Sequence, residues 1–222
     1  MIKAIQNIIL TLFLLFNFYI SNHKFNLPFL YLYGIETLPF LHAMITSSFS
    51  NYLLITNPDF IFHIEKYDQT SLSDIFFIVP IYTCSYGIFD FYYGFKLKNI
   101  SFMIHGSMLL VGSMFLYSTN NLHLFYPPLI METSSIFLNI MILPNANIIY
   151  KYLFAFTFFF YRYFIFTFIS YFFIQNTILK TNQENVYINM VGISLIAVSN
   201  VLNYFWGYKI IKKMIKYSRR SN

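Results

Sequence analysis

The sequence predicts an all-α protein, a polytopic transmembrane helix bundle of about seven spans. Three observations carry this reading. The chain is 58% hydrophobic and only 10% charged, with a mean hydropathy of +0.58, a balance that soluble domains do not show. Seven apolar stretches, at about 5–21, 34–56, 73–95, 100–118, 122–143, 148–175 and 186–208, each approach the ~20 residues needed to cross a bilayer. The charges between them are unevenly shared between the two sides of the membrane.

The first stretch has Lys3 ahead of an apolar core, as a signal peptide does. It lacks a small-x-small cleavage site, so a retained span is expected. The second begins at Gly34 and the third carries Pro80, whose ring frees a carbonyl one turn earlier. The fourth follows a short basic loop with Lys96 and Lys98. The fifth is the weakest helix, with Pro127-Pro128 near its start, Pro144 at its end and Glu132 inside. The sixth holds Arg162, and the seventh runs into a lysine-rich end.

Odd parity places the two termini on opposite sides. With the C-terminus in the cytosol, Lys24, Lys96, Lys98, Lys151 and the terminal Lys209, Lys212, Lys213, Lys216, Arg219 and Arg220 are cytosolic. The other side holds Lys3, Lys66 and Lys180 with the acidic Asp59, Glu65, Asp68 and Asp74. That asymmetry obeys the positive-inside rule. The terminal basic run reads as an anchor near anionic lipid, so the net charge of +6 is not a nucleic-acid signature. The lone Cys84 excludes an intramolecular disulfide. Abundant Phe, Tyr, Ile, Asn and Lys are read as codon bias, and Asn99-Ile100-Ser101 as a chance sequon at the cytosolic edge. No Gly-rich phosphate loop, nucleophile elbow or zinc-protease motif occurs. Dispersed histidines and acids give no metal-ligand spacing, so no metal or resident cofactor is expected.

Asp90, Glu132 and Arg162 each fall inside an apolar stretch. A charge at the bilayer centre costs roughly 2.5–3.5 kcal/mol on insertion scales and is held where it faces the bundle interior. Residues at i, i+3, i+4 and i+7 share a helical face. By that rule Thr83, Tyr86 and Asp90 form one polar stripe, and Glu132, Ser135 and Asn139 another. His42, Thr46 and Ser50 form a third, Ser101, His105 and Gly112 a fourth, and Asn200, Asn203 and Gly207 a fifth. Arg162 has no polar residue on its own face, so its partner is sought on a neighbouring helix, with Glu132 and Asp90 the available acids. An architectural ion pair and a functional one fit this equally. Single Ser, Thr and Asn residues in spans often do no more than join helices.

The order of these features matters more than each alone. Leu41-His42-Ala43 is followed by Tyr86-Gly87-Ile88-Phe89-Asp90, then His105. Met131-Glu132-Thr133-Ser134-Ser135-Ile136-Phe137-Leu138-Asn139 comes next, then Phe158 to Arg162, and last Asn203-Tyr204-Phe205-Trp206. This succession resembles the TLC-domain family of TRAM, Lag and CLN proteins over about residues 34–216, with the Glu132–Asn139 stretch its most specific piece. On that reading residues 1–33 are an N-terminal span and loop, 34–216 the six-helix TLC domain, and 217–222 a basic cytosolic tail.

The resemblance implies a bundle around a lipid-accommodating cavity in the endoplasmic reticulum, with the N-terminus lumenal. The family's ceramide-synthase branch transfers an acyl group from acyl-CoA to a sphingoid amine and carries paired histidines. Here His105 stands between Ile104 and Gly106, and residues 106–121 contain no Asp or Glu. The sequence is therefore more similar to the non-synthase, TLCD-like members.

Three functions compete. The first is a protein that binds or regulates membrane lipids, with His42, Glu132, Asn139 and Arg162 at a head-group cavity beside Asp90 and His105. The second is an N-acyltransferase with His105 as general base, oriented by Asp90 or Glu132, and acyl-CoA as co-substrate. The third is a cargo receptor or translocation accessory, which rests on the family resemblance. Membrane lipids are the expected partners, with a second copy of the chain or a cargo protein as further candidates.

Overall fold

The computed structural model describes residues 2–27, 30–32, 34–59, 75–118, 122–143, 146–179 and 186–218. Glu65, Lys66, Asp68, Asp74, Lys180, Arg219 and Arg220, on which part of the charge asymmetry rests, lie outside the described residues.

The described residues are helical apart from one short ribbon and the turns between elements. α1 (Ile2–Ser21) leads through antiparallel β1 (Phe25–Leu27) and β2 (Leu30–Leu32) into α2 (Gly34–Thr56). α3 (Ile75–Lys96) and α4 (Ile100–Ser118) form a tight helical hairpin. In its turn Lys98 adopts a left-handed backbone, φ 53°. Asn99 then caps α4, its side-chain oxygen accepting from the backbone N–H of Ser101 and Phe102. Glycine lets the two helices meet backbone to backbone. A Cβ on Gly106 would collide with Gly87 and Phe91 of α3.

The fifth stretch is not one helix, a correction to the reading of 122–143 as a continuous span. A 3₁₀ turn (Leu122–Phe125) leads into α5 (Tyr126–Leu129), and α6 (Glu132–Met141) follows after a break. Pro127 and Pro128 sit in the first turn of α5, where a missing N–H is tolerated, and the break follows at Ile130 and Met131, whose N–H groups bond three residues back to Pro127 O and Pro128 O. The Ser50 hydroxyl donates to Tyr126 O at 2.7 Å, satisfying a carbonyl beside the break. α6 has ten residues, about 15 Å at 1.5 Å per residue, so it covers only half a bilayer.

The sixth stretch is also composite. α7 (Ile148–Phe158) passes into a seven-residue π-helix (Phe159–Ile165), then α8 (Phe166–Leu179). Asn147 caps α7 through its side chain. α9 (Val186–Ser218) runs for 33 residues, ten beyond the expected end at 208, so the lysines 209–216 belong to the helix. Counted by apolar stretch, seven helical segments remain. Among the described residues, Ile100–Ser118, Ile148–Gln175 and Met190–Lys216 are each long and apolar enough to cross a membrane.

The polarity of the bundle is inverted relative to a soluble protein. Leu15, Ile55, Phe95, Phe156, Phe164 and Val201 point outward, while Asn17, Thr46, Ser50, Thr83, Ser85 and Ser134 are fully buried. Lipid tails solvate the first set as well as a core would, so helix association rests on close packing and buried hydrogen bonds. α1 illustrates this. Asn17 donates to Ser85 Oγ of α3 at 3.1 Å, flanked by Phe13 against Tyr82 and Phe18 against Phe89.

Candidate functional site

Four ionisable side chains from four helical segments form one chain of contacts. Asp90 lies on the last turns of α3 and His105 opposite it on α4. The glycine-packed hairpin brings them together, and His105 Nδ1 sits 2.7 Å from Asp90 Oδ2. With the proton on Nδ1, the imidazole donates to Asp90 and turns Nε2 away. Nε2 then stands 3.7 Å from Glu132 Oε1, in the first turn of α6. Glu132 Oε1 is in turn 3.8 Å from Arg162 Nη2.

Arg162 is held on every side. Its Nε donates to Ser134 Oγ at 2.8 Å, Nη2 to Ser135 Oγ at 2.9 Å, and Nη1 to Asn203 Oδ1 at 3.4 Å. The guanidinium lies over the rings of Phe158 and Trp206 at 5.5 and 5.6 Å. Asn203 also donates to Met131 Sδ at 3.2 Å. Arg162 therefore ties α6 to α9. It sits inside the π-helix, an irregularity that concentrates at functional positions. Asp90, Glu132 and Arg162 are 5–7% exposed, so each charge is shielded from lipid by its neighbours.

The chain of charges borders a cavity of about 170 Å³. Its walls run from His105 along α4 to Leu116, from Arg162 along α8 to Phe173, and from Trp206 back along α9 to Gly192. Eleven residues of helix separate His105 from Leu116, about 16 Å at 1.5 Å per residue. His105, Glu132, Arg162 and Asn203 gather at one end, and the remainder is lined mainly by Leu, Ile, Met, Phe and Pro. The result is a long apolar slot with a polar head.

The remaining sequence-derived candidates stand off the slot. Asp90 supports His105 from behind. His42 is buried and stacked on Tyr86, ring centroids 3.9 Å apart, and Tyr86 meets His105 edge-on at 6.4 Å. Asn139 bonds one turn back to Ser135 O. Arg162 meets Glu132, an acid expected from the sequence, but Ser134, Ser135 and Asn203 hold it more closely. Nothing in the sequence pattern marks Ser134 and Trp206 as neighbours of Arg162. Ser134 falls outside the Glu132–Asn139 stripe, and the π-turn of the Arg162 segment is invisible to a 3.6-residue period.

An inside-out helix bundle with ionisable side chains sequestered beside an apolar slot defines an integral membrane protein. A family model for the TLC domain matches residues 33–212. The chain belongs to the TLC-domain family, with α1 lying ahead of the matched region. No curated protein and no solved structure matches the chain.

Proposed function

We propose that this protein binds or regulates membrane lipids through its intramembrane cavity, as a multi-pass protein of the endoplasmic reticulum with a cytosolic C-terminus. The observation that carries the reading is the shape of the slot. A polar head built from His105, Glu132, Arg162 and Asn203 continues into an apolar channel bounded by α4, α8 and α9. That division matches an amphiphile with one polar end, and its position inside the bundle suits a ligand arriving from the bilayer. The test is native mass spectrometry of the purified protein with its co-purified lipid. A retained lipid species is expected, and Ile196→Trp, which fills the channel wall, should expel it. Loss of no lipid on filling the channel would refute the reading.

One observation favours a second reading, acyl transfer from acyl-CoA to an amine. A histidine whose Nδ1 is fixed 2.7 Å from a carboxylate presents its other nitrogen as a general base of defined tautomer. Incubation with labelled acyl-CoA and a sphingoid base decides it. Amide product that disappears in His105→Ala would support transfer, and absence of product from lipid-loaded protein would refute it.

A further inference from the structure

α9 is longer than a bilayer requires. Its 33 residues extend about 50 Å at 1.5 Å per residue, against a hydrocarbon core of about 30 Å. The last residue of α9 to line the cavity is Trp206, and the helix runs on to Ser218, so part of the surplus falls at its C-terminal end.

There the helix changes character. Lys209, Lys212, Lys213 and Lys216 follow the spacing i, i+3, i+4, i+7, which gathers all four on one face. Tyr208, Ile211, Met214 and Ile215 occupy the opposite face. All eight side chains are exposed. Residues 207–218 contain no acid. Beyond the hydrocarbon core, an upright helix would leave its apolar face in water. Gly207 marks the junction. The Tyr163 ring packs where a Cβ would stand, and its hydroxyl donates to Tyr204 O at 3.2 Å. That bond gives a second donor to the carbonyl of the turn entering Tyr208. Glycine inside a helix also weakens it relative to any residue that carries a side chain other than proline.

We propose that residues 208–216 are an arm that docks on acidic phospholipid. Hinged at Gly207, the arm lies along the bilayer face. Its apolar side seats in the interface, and its four lysines bind the phosphate and carboxylate groups of the lipid heads. A basic amphipathic helix is built for that surface, and clustered lysines just beyond a span draw anionic lipid. An acidic protein would satisfy the lysines but leave Ile211 and Ile215 wet. A lipid surface satisfies both faces. The inference is independent of what the cavity holds.

The test uses the full chain with Cys84→Ser and Ile215→Cys, spin-labelled at 215, in nanodiscs of phosphatidylcholine alone or mixed with phosphatidylserine. With phosphatidylserine the label should become accessible to oxygen and shielded from a water-soluble nickel chelate. High salt should reverse this. Each Lys→Gln should lower the docked-to-free ratio about fivefold, the equivalent of the ~1 kcal/mol carried by a lysine at an acidic surface. The lysines are exposed, so unchanged melting temperature of the variants will confirm that the bundle is intact. A label equally exposed to nickel in both lipids would overturn the proposal, as would docking that ignores both salt and the Lys→Gln changes.

Discussion

Replacing Gly106 by alanine should separate α3 from α4 and break the Asp90–His105 pair. A Cβ at 106 would stand 2.7 Å from Gly87 O and 2.9 Å from Phe91 Cα, where ordinary contact begins at 3.4 Å. Both obstacles are backbone and cannot rotate aside, so the helices must part by roughly 0.5–1 Å. His105 reaches Asp90 across this same interface at 2.7 Å. A shift of that size carries the pair to the edge of hydrogen-bonding range, beyond about 3.2 Å. Overpacking costs ~1–3 kcal/mol, and loss of a hydrogen bond to a charged group ~1.5–3 kcal/mol. The better helix propensity of alanine returns ~1 kcal/mol. The net expectation is destabilisation by about 1.5–5 kcal/mol.

Gly112→Ala is the matched control. There a Cβ would meet only the side-chain tips of Phe125 and Leu195, at 3.3 and 3.9 Å. Its change should stay within about 1 kcal/mol and tend towards stabilisation. Thermal unfolding in detergent, followed by the monodisperse fraction remaining after heating, measures both. A Gly106→Ala protein that melts at or above the parent temperature, or two variants that shift alike, would refute the steric clash at Gly106.

Arg162→Leu should cost about 3–5 kcal/mol, because Glu132 is left buried with its cationic partner gone. Arg162→Glu should be worse still, and Arg162→Leu combined with Glu132→Gln should recover part of the loss in the same thermal assay. A double variant no more stable than Arg162→Leu would contradict the pairing. Thr83→Val should be neutral or stabilising by up to ~1 kcal/mol, since the buried Thr83 hydroxyl has no hydrogen-bond partner among the described residues. Ser50→Ala, which removes the bond to Tyr126 O, should instead cost ~1 kcal/mol. Matching shifts for these two substitutions would show that burial, not bonding, sets the cost. Ser134→Ala with Ser135→Ala should release two of the bonds to Arg162 and lower the melting temperature, while Ser118→Ala, an exposed control, should not.

The bounds of α2 and α4 could be read from the sequence to the residue, at 34–56 and 100–118. Both have clear local starts, Gly34 after a short ribbon and Asn99 as a side-chain cap. The membrane class was legible because it depends on composition and on the length of apolar runs, which are properties of segments. The interruption of the fifth stretch was signalled by Pro127-Pro128 but not its outcome, since local sequence does not say which helix will donate to the freed carbonyl. Ser50, 76 residues away, does so.

At the site, isolation in an apolar run was enough to find Asp90, Glu132 and Arg162, because burying charge in lipid is costly whatever the fold. Which charge meets which depended on helix–helix geometry. Asp90 was a candidate for Arg162, yet the glycine contact of α3 with α4 gives it to His105. His42 has a polar face in sequence, but in space Tyr86 stands between it and His105.

The π-turn around Arg162 has a consequence for the permissible length of the chain. Removing one aromatic residue between Phe159 and Ile165 would let the segment wind at 3.6 residues per turn, and the helix beyond would keep its facing to within about 30°, because six α-helical residues turn through nearly the same angle as seven π-helical ones. Phe166, Ile169 and Phe173 would then stay on the wall that they share with α4 and α9. A single deletion there would leave the channel standing and change only the turn that presents Arg162 to it. The surplus residue therefore serves the placing of Arg162 rather than the direction of the helix.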